Sequence, residues 1–225
     1  MPATEAVCFD LDDTLCVPDV DDAELHAAAF DRVDADPFFT WDDVNAVDPH
    51  SLPTAGTLEG FFENLFRRVA ADVGGDPAHA PALAEATAAV LDDADPAFRE
   101  GAQEALRYAR DRYEVALVTQ GPEDRQSEKL EALGIADAFD ATVFCASEPD
   151  LAPKPDPAPF RRALADLDAA AAETVHVGDS LRGDVAGAHG AGLHSAWVPT
   201  GPVPEAPDPE PTYLLDSPGD LPEVL

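Results

Sequence analysis

Ala6-Val7-Cys8-Phe9-Asp10-Leu11-Asp12-Asp13-Thr14 is the stretch on which the reading of this chain turns. Four apolar residues make a run of strand length, and three acids and a hydroxyl follow at once. Successive side chains on an extended chain point to opposite faces, so Asp10 and Asp12 can share one side. Two carboxylates there repel unless a cation or a shared proton intervenes. A hard divalent ion with oxygen ligands, most simply Mg²⁺, meets that need. Taken alone, the segment reads more readily as a solvated acidic turn in a chain rich in acid.

Three further polar segments follow in order, each after a short apolar run. Val115–Val118 precedes Thr119-Gln120-Gly121, where a hydroxyl and backbone N–H groups beside a flexible glycine can donate to phosphate oxygens. The same residues also suit a strand-to-helix turn with a Thr cap. Lys154 stands in Pro153-Lys154-Pro155-Asp156-Pro157, where the prolines keep the backbone extended and fix where the side chain emerges. Val175–Val177 precedes Gly178-Asp179-Ser180, with Asp184 one turn into the next helix. Asp179 would complete a carboxylate set. Asp184 could hold Asp179, Lys154 or a metal-bound water, or be an acid favoured near a helix N-terminus. Arg182 is the nearest other base in sequence to the proposed site.

The rest of the chain supplies a frame for these segments. From residue 98 onward, helical patterns around 98–111, 124–133, 157–167 and 182–190 alternate with the runs Val115–Val118, Thr142–Cys145, Val175–Val177 and Ser195–Val198; Tyr213–Leu215 is a last short strand. Continuous apolar strands between helices predict a doubly wound, Rossmann-like parallel sheet, an α/β fold. Such a sheet brings all four polar segments to one edge. Residues 17–97 differ, with helical patterns and no convincing strand. Leu25, Ala28, Ala29 and Val33 make one face, and Leu58, Phe61, Phe62, Leu65, Phe66, Val69 and Val73 make a stronger one that Gly74-Gly75 stops. Pro81 opens a further helix. The chain therefore divides into a core of 1–16 and 98–225 and a helical insertion of 17–97.

Composition narrows the partners. The formal net charge is −33, from 46 acidic and 13 basic residues, which repels nucleic-acid backbones. Only two of the bases are lysines, Lys129 and Lys154. An acid-rich, lysine-poor chain resembles the cytoplasmic proteins of salt-accumulating archaea, and salt would screen its self-repulsion. Cys8, Cys16 and Cys145 have no metal-ligand spacing, and their odd number fits a reducing compartment. Met1-Pro2-Ala3-Thr4-Glu5 has no signal character, and no apolar run reaches membrane-spanning length. A cytoplasmic protein with no membrane or nucleic-acid partner is expected.

The ordered set resembles the phosphatases of the haloacid dehalogenase superfamily over nearly the whole chain. Their first motif, Asp-x-Asp-x-Thr, is matched by Asp10, Asp12 and Thr14; the second by Thr119; the third by Lys154; the fourth, Gly-Asp-x-x-x-x-Asp, by Asp179 and Asp184. Gln120 stands where Asn is commoner. The resemblance implies a helical cap over 17–97 that selects the substrate, with Phe38, Phe39 and Trp41 read as packing its helices in preference to lining its cavity. It implies Mg²⁺ held by Asp10, the backbone carbonyl of Asp12, Asp179 and Asp184, the last directly or through a water. It implies Asp10 as nucleophile, Asp12 as general acid and base, and Thr119, Gln120 and Lys154 around the phosphate of a small phosphorylated metabolite. Asp12 argues against the dehalogenases of this superfamily, which lack an acid two residues past the nucleophile. A phosphomutase, a non-catalytic phospho-acceptor of the receiver type, or a member that only binds a partner are the alternatives.

Overall fold

The computed structural model describes residues 4–47, 51–53, 55, 57–145 and 151–225. The first three residues of the segment read for a targeting signal lie outside them. The chain forms two compact units, Met1–Val17 with Pro96–Leu225, and Pro18–Asp95.

The first unit is built on a parallel sheet of six strands. These are β1 (Ala6–Phe9), β4 (Glu114–Thr119), β5 (Ala141–Phe144), β6 (Thr174–Gly178), β7 (His194–Trp197) and β8 (Tyr213–Leu214). Their order is β5-β4-β1-β6-β7-β8, which places β1 between β4 and β6. Ala6 through Phe9 pair with Glu114 through Leu117 on one side and Thr174 through Val177 on the other. Alternation explains the two apolar layers. Val7, Phe9, Val115, Leu117, Val175 and Val177 face α5 (Ala102–Arg110) and α6 (Glu123–Ala132), meeting Ala105, Leu106 and Leu130. Cys8, Ala116 and Val118 face the opposite way, onto Phe160 and Ala163 of α7 (Ala158–Leu167) and Ala188 of α8 (Ala186–Ala191). A sheet covered on both faces needs continuous apolar strands, which is the pattern these segments carry.

Three local expectations are corrected. Two short strands, β2 (Cys16–Pro18) and β3 (Pro96–Phe98), pair with each other where no strand was expected. Three residues each, with a proline in both, show no measurable period. The helix read from residue 98 begins at Ala102, because Phe98 belongs to β3 and Gly101 turns through a left-handed conformation (φ 82°). The helix read over 182–190 is a single π-helical turn, Leu181–Val185, followed by α8. The Ser180 carbonyl accepts from both Asp184 N (2.8 Å) and Val185 N (3.1 Å), so one extra residue is accommodated in that turn.

The second unit is helical: α1 (Asp22–Arg32), α2 (Trp41–Asn45), α3 (Leu58–Val73) and α4 (Ala80–Asp93). Asp21, Thr40 and Thr57 cap the first three through their side chains. Gly74 ends α3 in the left-handed region (φ 74°), and Gly75 N donates to Ala70 O at 2.8 Å. Phe30, Phe39, Phe62, Leu65, Phe66, Val69 and Leu83 form its core. Leu58 and Val73, the ends of the apolar stripe of α3, are exposed (54% and 40%) because the stripe outruns the surface it packs on. Phe39 contacts the rings of Phe30, Phe38 and Phe66 at centroid distances of 5.1, 5.1 and 5.4 Å, so these aromatics pack the unit's interior. No helix among the described residues is long and apolar enough to cross a membrane.

Candidate active site

Because β1, β4 and β6 are adjacent and parallel, their C-terminal ends deliver Asp10, Thr119 and Asp179 to one edge of the sheet. Asp10 extends the pairing, its N–H donating to Val177 O at 2.9 Å. The chain then wraps around the Leu11 carbonyl, which accepts from Leu15 N (2.8 Å) and Cys16 N (3.0 Å). Asp13 takes a left-handed conformation (φ 56°) that its short side chain tolerates. Leu11 and Leu15 are fully buried, so the core anchors the turn that presents Asp10 and Asp12.

Lys154 sits at the centre of one cluster. Its ammonium lies 2.8 Å from Asp10 Oδ1, 2.8 Å from Asp184 Oδ1 and 3.3 Å from the Val118 carbonyl it donates to. Three acceptors use the three hydrogens of the group. Burial alone would lower the Lys154 pKa, but the charges of Asp10 and Asp184 outweigh it and hold the amine protonated. Asp184 is buried as well; Lys154, together with His176 Nε2 at 2.9 Å from Oδ1, holds its pKa far below the usual carboxylate range against the cost of burial. Its Oδ2 accepts from Ser180 N at 3.0 Å. Gly178 makes this possible, since a Cβ there would collide with the Asp184 side chain. The answer to what Asp184 holds is therefore Lys154, with His176 behind it.

Asp10, Asp179 and Asp184 each offer an oxygen within 4.8 Å of the others. Only one ammonium offsets them there, and the effect shows in their titration. Burial, with the charges of Asp184 and Asp179 adding to it, pushes the Asp10 carboxyl up to about 8 in spite of Lys154. Burial and then Asp184 push Asp179 up to about 7. Carboxyls driven toward the neutral form by burial, with neighbouring negative charge adding to it, are the donor set of a hard dication, whose charge would relieve both. The residues present fit Mg²⁺, with Asp10 and Asp179 the freer ligands because both oxygens of Asp184 are already engaged.

Asp12 faces a second cation. Lys129 Nζ donates to its Oδ1 at 2.6 Å, and Gln126 Nε2 to its Oδ2 at 2.8 Å. Gln126 also donates to Thr119 Oγ1 at 2.6 Å. The two lysines of the whole chain thus pair with the two aspartates of the first motif, one each. This corrects the expectation that Arg182 is the nearest other base: Arg182 is exposed, while Lys129, from α6, is in direct contact. It also changes the reading of Gly121. A Cβ there would lie 3.0–3.1 Å from Gln126 Cδ and Cγ, so the glycine makes room for Gln126. Thr119 is fully buried and Gln120 is exposed. Gln126, Lys129 and His176 escaped sequence reasoning. The rarity of lysine was a usable signal for Lys129; Gln126 and His176 carried none, because a lone amide on a helix and a lone imidazole in an apolar strand make no pattern with the residues around them.

A family model described as haloacid dehalogenase-like hydrolase matches residues 4–192. A phosphoserine phosphatase of Thermus thermophilus is 39% identical over 137 residues, 57% of this chain and 50% of that protein; the match spans half the relative's length. The solved structure of YfnB from Bacillus subtilis, a hydrolase of the same family bound to magnesium, superposes with a TM-score of 0.67 at 21% identity, covering 100% of this chain and 99% of that one. The 2-haloacid dehalogenase of Pseudomonas syringae gives 0.57 at 26% identity, covering 98% and 97%.

Proposed function

Since the chain belongs to the haloacid dehalogenase-like hydrolases, we propose that it is a Mg²⁺-dependent phosphatase that hydrolyses a small phosphate monoester through an aspartyl-phosphate on Asp10. The observation that carries this reading is the division of charge at the sheet edge. Lys154 is 2.8 Å from Asp10, while Asp12, two residues on, has its own lysine at 2.6 Å. The two carboxylates are thus held apart in separate electrostatic settings, as a nucleophile and a proton carrier require.

Asp10, Asp179 and the backbone carbonyl of Asp12 would hold the ion, with Asp184 lending charge beside them. When bound, Mg²⁺ supplies positive charge that lets anionic phosphate approach anionic carboxylate. Asp10 attacks phosphorus as the bond to the leaving oxygen breaks. Asp12 gives that oxygen a proton, then takes one from the water that cleaves the acyl phosphate and frees inorganic phosphate. As Asp10 bonds to phosphorus, the Lys154 hydrogen that faces Asp10 Oδ1 turns to the phosphate oxygens, where charge spreads. The Thr119 hydroxyl accepts from Gln126, so its own hydrogen is free to be donated. Proton transfer contributes roughly 10²–10⁴-fold, against enhancements of up to ~10²¹ for the slowest monoesters. Charge and positioning by Lys154 and the ion supply the larger share. The helical unit of Pro18–Asp95 is proposed as the cap that selects the substrate.

Dehalogenation would make Asp12 and its two donors superfluous. A mutase shares this chemistry but returns the phosphoryl group to a sugar. Purified protein with Mg²⁺ should release inorganic phosphate from p-nitrophenyl phosphate over many turnovers. A single equivalent bound and never released points to a phospho-acceptor; halide release from a haloacid without phosphatase activity would refute the proposal.

A further inference from the structure

Building on the phosphatase reading, we propose that Gln126 and Lys129 are positioning residues that divide the two oxygens of Asp12 between them, so that Oδ1 alone exchanges the catalytic proton. They are three residues apart on α6 and therefore share one face of that helix. A carboxylate only accepts hydrogen bonds, so the end of Gln126 that meets Asp12 Oδ2 is its NH₂ group. The second hydrogen of that group goes to Thr119 Oγ1 at 2.6 Å. One buried amide, 2% exposed, thereby fixes the rotamer of the proton carrier and the direction in which the Thr119 hydroxyl can donate. The absent Cβ at Gly121 leaves the space it occupies.

Lys129 is placed differently. Its side chain is 34% exposed and that of Asp12 42%, so this contact can open to admit a leaving group while the buried one to Gln126 stays closed. Cys16 Sγ, 3.9 Å from the same Oδ1, is a much weaker donor. Asp12 enters the transfer step protonated on Oδ1, the Lys129 contact having opened; as Asp10 bonds to phosphorus, the electron pair of the breaking P–O bond goes to the leaving oxygen, which takes the proton from Asp12. The negative charge left on Asp12 then sits beside the Lys129 ammonium. Neither residue touches phosphorus in this scheme; both act through Asp12, and Gln126 also through Thr119.

The test compares phenyl phosphate, whose leaving oxygen needs a proton, with 2,4-dinitrophenyl phosphate, whose leaving oxygen does not. The quantity is kcat/KM, which reports transfer to Asp10 and excludes later hydrolysis. Misplacement of a catalytic group by about 1 Å costs on the order of 10²-fold. Gln126→Met and Lys129→Met should each lose about 10–10²-fold on phenyl phosphate and much less on the dinitrophenyl ester. Lys129→Arg should recover most of the loss. Proportional loss on both esters in the variants overturns the proposal while wild-type turnover keeps the phosphatase reading; wild-type protein inert toward both esters removes that reading and this one with it. Melting curves check that the variants fold. Should Gln126→Met fail to fold, the half-exposed Lys129 decides the outcome alone.

Discussion

Removing the Lys154 ammonium would leave Asp10 and Asp184 buried with no cation between them. Breaking a buried pair by deleting one partner costs about 3–5 kcal/mol, and Lys154→Ala should lower the melting temperature as well as abolish phosphatase turnover. Asp10→Asn, nearly isosteric, should abolish turnover with the fold intact; activity above a few per cent of wild type would exclude Asp10 as nucleophile. The raised carboxyls give a pH signature. Asp179, pushed up to about 7, and Asp10, to about 8, bind protons more tightly folded than unfolded. Their contribution to stability is complete below the ordinary carboxylate range and is lost as pH rises through those values, at most about 1.4 kcal/mol per pH unit per proton. Burial lowers the pKa of His176 and His189, which act in the opposite direction at lower pH, so the window to use is pH 6.5 to 8. Chelator-treated protein should lose melting temperature across it, and Mg²⁺ should flatten the decline. A flat profile without metal would count against an uncompensated acid cluster.

At the scale of elements, the end of β6 and the π-helical turn after it act together. Gly178 lets the strand end approach Asp184, and Ser180 anchors the turn through both its carbonyl and its side chain, which accepts from Gly183 N at 2.9 Å. Gly178→Ala should force Asp184 away and with it Lys154, at a cost of about 1–3 kcal/mol from overpacking. Its activity should fall as far as that of Asp184→Ala; near-normal turnover would show that the turn relaxes without moving Lys154. The elements themselves were legible where their period was long enough. The strands of the sheet, Ala6–Phe9 above all, are continuous apolar runs, and α3 repeats its apolar face over four turns. The paired strands at Cys16–Pro18 and Pro96–Phe98 were not legible, because three residues carry no period and their pairing joins segments some eighty residues apart. The π-helical turn was hidden because its extra residue is set by where Asp184 must reach.

For the molecule as a whole, charge is the dominant sequence-level quantity. A net −33 on 225 residues stores self-repulsion that dilute buffer does not relieve. The Debye length falls from about 10 Å at 0.1 M salt to 3 Å at 1 M. Molar KCl should therefore raise the melting temperature steadily; a maximum in dilute buffer would contradict the salt-adapted reading of its composition. The same excess makes the site's two ammonium groups notable. Of the eleven arginines, Arg99 donates to the Asp13 carbonyl, and several others are exposed in i,i+4 pairs such as Arg67–Glu63 and Arg68–Asp72, while both lysines are spent on Asp10 and Asp12.

Local pattern was enough to assign the class of fold and to pick out the acids, hydroxyl and lysine around which a phosphoryl-transfer site could form, since apolar runs and the polar groups that end them are local properties of the chain. Tertiary structure alone decided how those groups share their charges. That Asp184 serves Lys154, that Lys129 and Gln126 hold Asp12, and that Gly121 makes space for an amide are consequences of strand order and helix packing. Partners from thirty to more than a hundred residues apart, and a rotamer that one of them fixes, leave no trace in local spacing.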